Sequence, residues 1–118
     1  MNARICLATT VAVAAAAAAP AAAPAPSALV NCGKVSAGGR TWEVGAAAVV
    51  CATARSIVRQ VAVKKPDRVL RGGGGEVDQY AASFSGLKCF KSRKAKLGGS
   101  INCTSTDGKR SLIATYRG

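Results

Sequence analysis

The chain contains no histidine, and only five of its 118 residues are acidic, against 17 lysines and arginines. Aromatic residues make up 4% of the sequence, and Trp42 is the only tryptophan. Without histidine, the usual general base for a serine or cysteine nucleophile is missing, and so are histidine-containing zinc sites. The few aromatic rings also leave little material for the stacking platforms that bind single-stranded nucleic acid.

The acidic residues and glycines offer no alternative catalytic motif. Glu76 and Asp78 stand two residues apart, whereas glycoside hydrolysis needs two carboxyl groups on opposite sides of a cleft. The glycine run at 72–75 lacks both the GxGxxG spacing and the GKS or GKT ending of phosphate-binding loops. The sequence therefore predicts a protein that is not an enzyme and needs no cofactor or metal.

Residues 1–27 have the order of a secretory signal followed by an alanine and proline spacer. A positive charge at Arg4 precedes an apolar run at 5–19, and small residues suited to cleavage follow, with Ala21 and Ser27 as the best cleavage points. The run is shorter than the roughly 20 residues of a spanning helix. We expect a secreted or periplasmic protein with no membrane anchor after cleavage. An uncleaved tail and a lipid anchor on Cys32 are the alternatives, although Asn31 is the wrong residue type before a lipidated cysteine.

Four cysteines remain once Cys6 leaves with the signal. An even number in a short exported chain is typical of two disulfides, which a domain of this size needs for stability. Zinc is the competing interpretation, but no CxxC pair occurs. Three pairings are open. Cys32–Cys51 with Cys89–Cys103 is favoured because each bond joins neighbouring segments, and Cys51–Cys103 is the competitor because both point into one predicted core.

The domain at 28–118 is predicted to be α+β, with one main helix packed on a small antiparallel sheet of about five strands. Residues 28–45 are interpreted as two strands around Gly38-Gly39. Residues 46–63 have the three-to-four apolar spacing of a helix, which buries Cys51 on its apolar stripe. Residues 64–79 are interpreted as a flexible, glycine-rich connector.

The C-terminal part is predicted to be a β-meander. A strand over 83–91 places Cys89 on the face opposite Phe90. Asp107-Gly108 is typical of a two-residue hairpin turn in which both residues tolerate positive φ. Folding about it pairs Cys103 with Leu112 and Ile101 with Ala114.

The excess of positive charge indicates the kind of partner that the protein could bind, and this charge is densest in KCFKSRKAK at 88–96. Such a field attracts anionic polymers, lipids and acidic polysaccharides. Export makes nucleic acid a poor candidate partner, and a solvated surface that only aids solubility is the simpler interpretation. The candidate anion-binding patch comprises Lys88, Lys91, Arg93, Lys94, Lys96, Lys109 and Arg110.

Five segments give the chain a resemblance to a group of small exported proteins. They are NCG, GGRTWEV, VVCATAR, GLKCF and INCTSTDGKR, and together they fall within residues 31–117. In this pattern the chain resembles small exported, four-cysteine proteins of actinobacterial type, which have no agreed activity. The resemblance implies export, disulfides and a small α+β fold, and it assigns no catalytic residue. Leu87-Lys88 stands where that pattern usually has an aromatic before the third cysteine.

The expected function is that of a secreted, basic, non-enzymatic domain that acts at the cell envelope or binds anionic surfaces. Its partner would be an anionic envelope polymer or another protein. The alternative is a secreted protease inhibitor or toxin-like effector, with residues 64–75 or 91–99 as the presented loop. The sequence does not indicate an oligomeric state.

Overall fold

The computed structural model describes residues 28–94 and 97–117. The predicted signal at 1–27 and Lys96 of the predicted patch lie outside the described residues. The described chain forms seven strands and one helix, in the order β1 (Val30–Ala37), β2 (Arg40–Ala47), α1 (Cys51–Val63), β3 (Arg68–Gly72), β4 (Gly75–Gln79), β5 (Leu87–Lys94), β6 (Gly98–Ser105) and β7 (Ser111–Tyr116).

The strands form one antiparallel sheet in the order β1-β2-β7-β6-β5-β4-β3. The predicted α+β class, with a main helix packed on a small sheet, is therefore wrong. The described part of the chain is mostly antiparallel sheet, and its helix is a short element of 13 residues. The helix begins at Cys51 rather than at residue 46, because Ala46 and Ala47 continue β2 and pair with β7.

The glycine-rich segment at 64–79 is the second reason why the predicted fold class is wrong. Gly73 and Gly74 have φ of 58° and 78°, which is the conformation that a two-residue hairpin turn requires. They reverse the chain so that Leu70 pairs with Val77. The predicted connector is thus the β3–β4 hairpin, and its glycines make a tight turn rather than a flexible loop.

A second turn of this kind precedes β5. Ser85 and Gly86 have φ of 51° and 82°, and Phe84 and Leu87 on either side exchange both backbone hydrogen bonds, at 2.8 and 3.0 Å. The predicted strand over 83–91 therefore starts four residues later, at Leu87. The Ser-Gly pair was the available signal for this turn.

The pairing of β6 with β7 follows the predicted register. Cys103 lies opposite Leu112 and Ile101 lies opposite Ala114, so this prediction is confirmed. The turn differs from the prediction, because only Gly108 has positive φ and its N–H donates to the Ser105 carbonyl at 2.9 Å. The Asp107 carboxylate accepts hydrogen bonds from the Ser105 hydroxyl and the Lys109 N–H, which lowers the pKa of Asp107, the Ser105 bond being the larger cause.

The two faces of the sheet have opposite character. We call the face that α1 contacts the inner face and the opposite one the outer face. Alternate strand residues on the inner face are buried and form one apolar core with the helix. The core includes Val35, Trp42, Val44, Leu87, Ile101, Leu112 and Ala114 from the strands and Ala54, Ile57, Val58 and Val61 from the helix.

Two disulfides join the structure on this inner side. Cys32 of β1 is bonded to Cys51 at the start of the helix, and Cys89 is bonded to Cys103, its direct cross-strand neighbour. These are the two pairs that the sequence favoured. The first bond ties the helix to an edge of the sheet, and the second lies between two strands that are already paired.

In the part of the chain that the structure describes, none of the helical segments is long and apolar enough to cross a membrane.

Candidate functional site: the outer face of the sheet

One row of cross-strand partners crosses the entire outer face. Each residue in the row is paired with the next, so the row follows directly from the register of the seven strands. It contains an apolar end on β3 and β4, a hydroxyl-bearing centre and a charged end on β2 and β1. In order, the row comprises Leu70, Val77, Ser92, Ser100, Thr115, Glu43 and Lys34.

Large apolar side chains are exposed on or beside this face. Phe90 on β5 is 47% exposed, Leu70 on β3 is 41% exposed, and Leu97 in the β5–β6 turn is 71% exposed. Near the other end of the sheet, Leu29 and Val30 are also exposed and line a shallow depression with Ile113. Single exposed apolar residues are ordinary, but several on one face of a small domain are typical of an interaction surface.

A concavity begins at the apolar end of the row. We call it the tip cleft, because it lies where the β3–β4 and β5–β6 hairpins turn, and its volume is about 900 Å³. Leu70, Val77 and Leu97 supply apolar lining. Ser92 and Ser100, whose hydroxyl oxygens are 2.8 Å apart, supply polar lining. A mainly apolar concavity with a few polar groups is the usual form of a ligand site.

Cations surround the tip cleft. Among its described lining residues, Arg71, Arg93, Lys94 and Arg117 are cations, and Glu76 is the only carboxylate. Arg71 donates to Glu76 at 2.7 Å, and Arg93 also donates to it. These two hydrogen bonds, first that from Arg71, lower the pKa of Glu76, so the carboxylate is ionised and already paired. The rim of the cleft therefore keeps an excess of positive charge.

The structure divides the predicted anion-binding patch between the two faces. Lys88 and Lys94 are exposed, and both are an odd number of residues from the buried Cys89, which places them on the same outer face as Phe90. Lys91 shares the inner side with Cys89 and is buried, and Arg93 follows it on that side. The patch is therefore not one continuous surface.

Lys91 and Arg93 are engaged by carboxylates from β4. Lys91 Nζ lies 3.7 Å from Asp78 and donates to the Ala62 carbonyl of the helix at 3.2 Å, and Arg93 lies 3.4 Å from Asp78. Burial lowers the pKa of Lys91, and the nearby Asp78 charge opposes that shift. Because Asp78 is only 1% exposed, this arrangement is a buried polar link between β4, β5 and the helix rather than a surface for an external anion.

The two remaining described members of the patch lie in the β6–β7 turn. Lys109 and Arg110 are exposed, and the Arg110 guanidinium donates to the Ser85 carbonyl at 3.4 Å. Lys88 donates to the Ala81 carbonyl at 2.8 Å and lies at the same end of β5. These three cations are at the opposite end of the strands from Lys94 and the tip cleft.

Sequence reasoning missed the cations and apolar groups contributed by β3 and β7. Leu70 and Arg71 fall within the predicted connector, and Arg117 lies outside the predicted patch. Polar and apolar residues alternate in part of RVLR before the Gly-Gly turn and in EV after it, and this alternation was the sequence signal for β3 and β4. Arg40 was also missed, and it lies 4.8 Å from the ring centre of Tyr116, whose edge packs on Trp42.

The described residues do not assemble a recognisable catalytic group. All four cysteines among them are in disulfides, and residues 28–94 and 97–117 contain no cluster of three or more histidine, cysteine or acidic side chains that could hold a metal ion. The arrangement on the outer face is instead suited to non-covalent binding. Comparison with known proteins found no matching family model, curated protein or solved structure.

Proposed function

We propose that the protein is a secreted, non-enzymatic domain that binds anionic surfaces of the cell envelope through the outer face of its sheet. Export is supported by the signal-like sequence at 1–27 and by the two disulfides, which form and persist in oxidising compartments. The resemblance to exported actinobacterial proteins is a further reason for the proposal and stays a prediction.

The observation that carries the proposal is the combination of exposed apolar groups and cations on one face. On the outer side of β5, Lys88 occupies the position before Phe90, and Lys94 lies two outer positions after it, beyond Ser92. The cationic tip cleft continues this surface at the Lys94 end. Apolar side chains enter the headgroup region of an interface, while each nearby lysine or arginine contributes about 1 kcal/mol at an anionic membrane surface. Where the helix packs on it, the inner face offers no such surface because the core covers it.

The proposal is tested by co-sedimentation with vesicles of phosphatidylglycerol and phosphatidylcholine at low and high salt. The outer variant carries Lys88→Gln, Phe90→Ser and Lys94→Gln. We expect it to bind at least about tenfold more weakly than the natural protein, because two charges near the surface and one apolar contact are lost. Binding of the natural protein should fall at high salt.

A charge-matched control separates the face from the net charge. Arg59→Gln with Lys64→Gln removes the same number of charges from exposed positions in and just after the helix. We expect this control to lose much less affinity than the outer variant. Equal losses in the two variants would show that overall charge, rather than the outer face, causes binding. Polyphosphate is the second probe, and binding to it without binding to vesicles would identify a polymer as the target.

A protease inhibitor or toxin-like effector is the second candidate. The two segments predicted to be inhibitory loops, 64–75 and 91–99, contribute to hairpins whose turns border the tip cleft. A protease could reach a loop at this end of the sheet. Inhibition of a secreted protease, lost on cleavage within one of these turns, would favour this function over envelope binding.

A further inference from the structure

The sheet has two edges, and they are protected differently. At the β1 edge, the pairing with β2 shifts between Asn31 and Gly33, which interrupts the regular ladder. Asn31 accepts a hydrogen bond from the Gly33 N–H at 2.8 Å, and Arg55 of the helix donates to the Cys32 carbonyl at 3.0 Å. The Cys32–Cys51 bond holds the helix against this edge. Bulges and covering elements of this kind prevent a further strand from adding.

The β3 edge has none of these protections among the described residues. β3 pairs with β4 on one side, and no described strand lies on its other side. Its register is regular from Arg68 to Gly72, with no bulge. It contains no proline and is exposed at four of its five residues.

The tight turn determines which backbone groups of β3 face outward. Gly72 and Gly75 flank the two-residue turn, so they form a hydrogen-bonded pair, and such pairs alternate along an antiparallel ladder. Leu70 and Val77 then form the next hydrogen-bonded pair. The N–H and C=O groups of Val69 and Arg71 consequently point away from β4, towards the open edge.

We propose that the β3 edge binds an extended segment of a partner protein, rich in acidic and β-branched residues, as an eighth strand of the sheet. Backbone hydrogen bonds to Val69 and Arg71 would provide the pairing, as in other strand-addition complexes. This proposal does not depend on the outer-face proposal, because its pairing uses the backbone N–H and C=O groups of the β3 edge rather than the side chains of the outer face.

Charge and shape indicate the chemistry of that partner. Arg68 is exposed on this short strand, and Arg71 keeps 74% of its side chain exposed although it donates to Glu76, so carboxylates on an added strand would be attracted. Apolar side chains of the added strand on the outer side would lie next to Leu70, where the tip cleft opens. A second copy of this chain fits poorly, because pairing two β3 edges would bring four arginines together.

The test uses a synthetic peptide of alternating glutamate and valine, capped at both ends, with binding measured by NMR titration of the folded, oxidised protein. Val69→Pro removes one outward N–H and is compatible with an edge strand whose N–H faces solvent. Val69→Thr is the matched control, because it keeps the N–H and the β-branched shape. We expect Val69→Pro to bind at least about tenfold more weakly and Val69→Thr to bind within about twofold of the natural protein.

Hydrogen exchange in the natural protein provides an independent measurement if Val69→Pro does not fold. We expect the peptide to protect the Val69 and Arg71 amides and to leave amides at the β1 edge unchanged. A version of the peptide with proline at alternate positions should not bind. Unchanged exchange at Val69 and Arg71 at saturating peptide, or equal binding of the proline-containing peptide, would overturn the proposal. Peptide-independent dimers with protected β3 amides would identify a second copy as the occupant instead.

Discussion

The inner and outer faces of this sheet are built from the same strands but have different physical roles. On β5, Leu87, Cys89 and Lys91 are buried, whereas Lys88 and Phe90 between them are exposed. The inner positions supply the core, both disulfides and the buried charges, so they determine stability. The outer positions contribute little to the core and are available for binding. Matched substitutions on the two faces test this division.

The largest difference in stability between the two faces is expected for substitutions of a buried and an exposed carboxylate. Asp78→Ala should lower the free energy of unfolding by about 3–5 kcal/mol, because it leaves the buried Lys91 ammonium without its partner charge. Glu43→Ala on the outer face should change it by less than about 0.5 kcal/mol, as an exposed substitution does. Urea unfolding of the oxidised proteins measures both.

A double variant sharpens the interpretation of the carboxylate result. Asp78→Leu combined with Lys91→Met replaces the buried charge pair by apolar groups and should be more stable than Asp78→Ala alone. If the double variant were instead the less stable of the two, the pair would contribute net stability, and the assignment of the loss to an uncompensated charge would be wrong.

The next comparison uses isoleucines on adjacent strands. Ile101→Ala on the inner side of β6 removes a fully buried side chain and should cost about 2–5 kcal/mol, including the cavity that it leaves. Ile113→Ala on the outer side of β7 removes a half-buried side chain and should cost less than half as much. Equal losses in urea unfolding would show that the outer face also contributes to a core.

The disulfides test whether the inner side needs covalent reinforcement. Replacing Cys89 and Cys103 together by alanine should lower the free energy of unfolding by about 2–4 kcal/mol, because the unfolded chain regains the freedom of the closed loop. The Cys32–Cys51 bond closes a loop of 19 residues, and the Cys89–Cys103 bond closes one of 14. Because loop-closure entropy depends only weakly on loop length, removing Cys32–Cys51 should lower the free energy of unfolding by a similar amount. We expect an additional local effect, faster hydrogen exchange in α1, only when Cys32 and Cys51 are replaced.

Local patterns in the sequence were sufficient for part of this organisation. The register of β6 with β7 follows from alternating apolar residues on both sides of Asp107-Gly108. The separation of Phe90 from Cys89 follows from the two-residue period of a strand. Alternation also places Lys91 on the side of Cys89, so its burial could have been anticipated from KCFKSRK.

The rest depends on contacts between segments that are distant in sequence. Lys91 is tolerated inside only because β4 supplies Asp78 as its partner charge. The sequence did not indicate β4, because the glycine run before it is equally typical of a flexible loop. The same hairpin converts Leu70 and Arg71 from loop residues into the wall of the tip cleft. Missing this one hairpin therefore caused both the wrong fold class and the incomplete candidate site.

The smallest expected effect concerns Tyr80, which packs against Phe84 and donates its hydroxyl to the Val61 carbonyl of the helix at 3.3 Å. Tyr80→Phe should cost about 0.5–1.5 kcal/mol at neutral pH through the lost hydrogen bond. Burial, assisted by the Asp78 charge, raises the pKa of Tyr80 from 10.0 to about 12.

The raised pKa gives this substitution a characteristic pH dependence. Because the folded state holds the Tyr80 proton more tightly, its contribution is complete below pH 10 and is lost as the pH rises towards 12. The natural protein should therefore lose stability more steeply than Tyr80→Phe between pH 10 and 12 in urea unfolding. Lys91 is present in both proteins, so its contribution largely cancels in the difference. Parallel profiles would show that the Tyr80 hydroxyl is not desolvated, and the inner side of the sheet would then admit water near the end of α1.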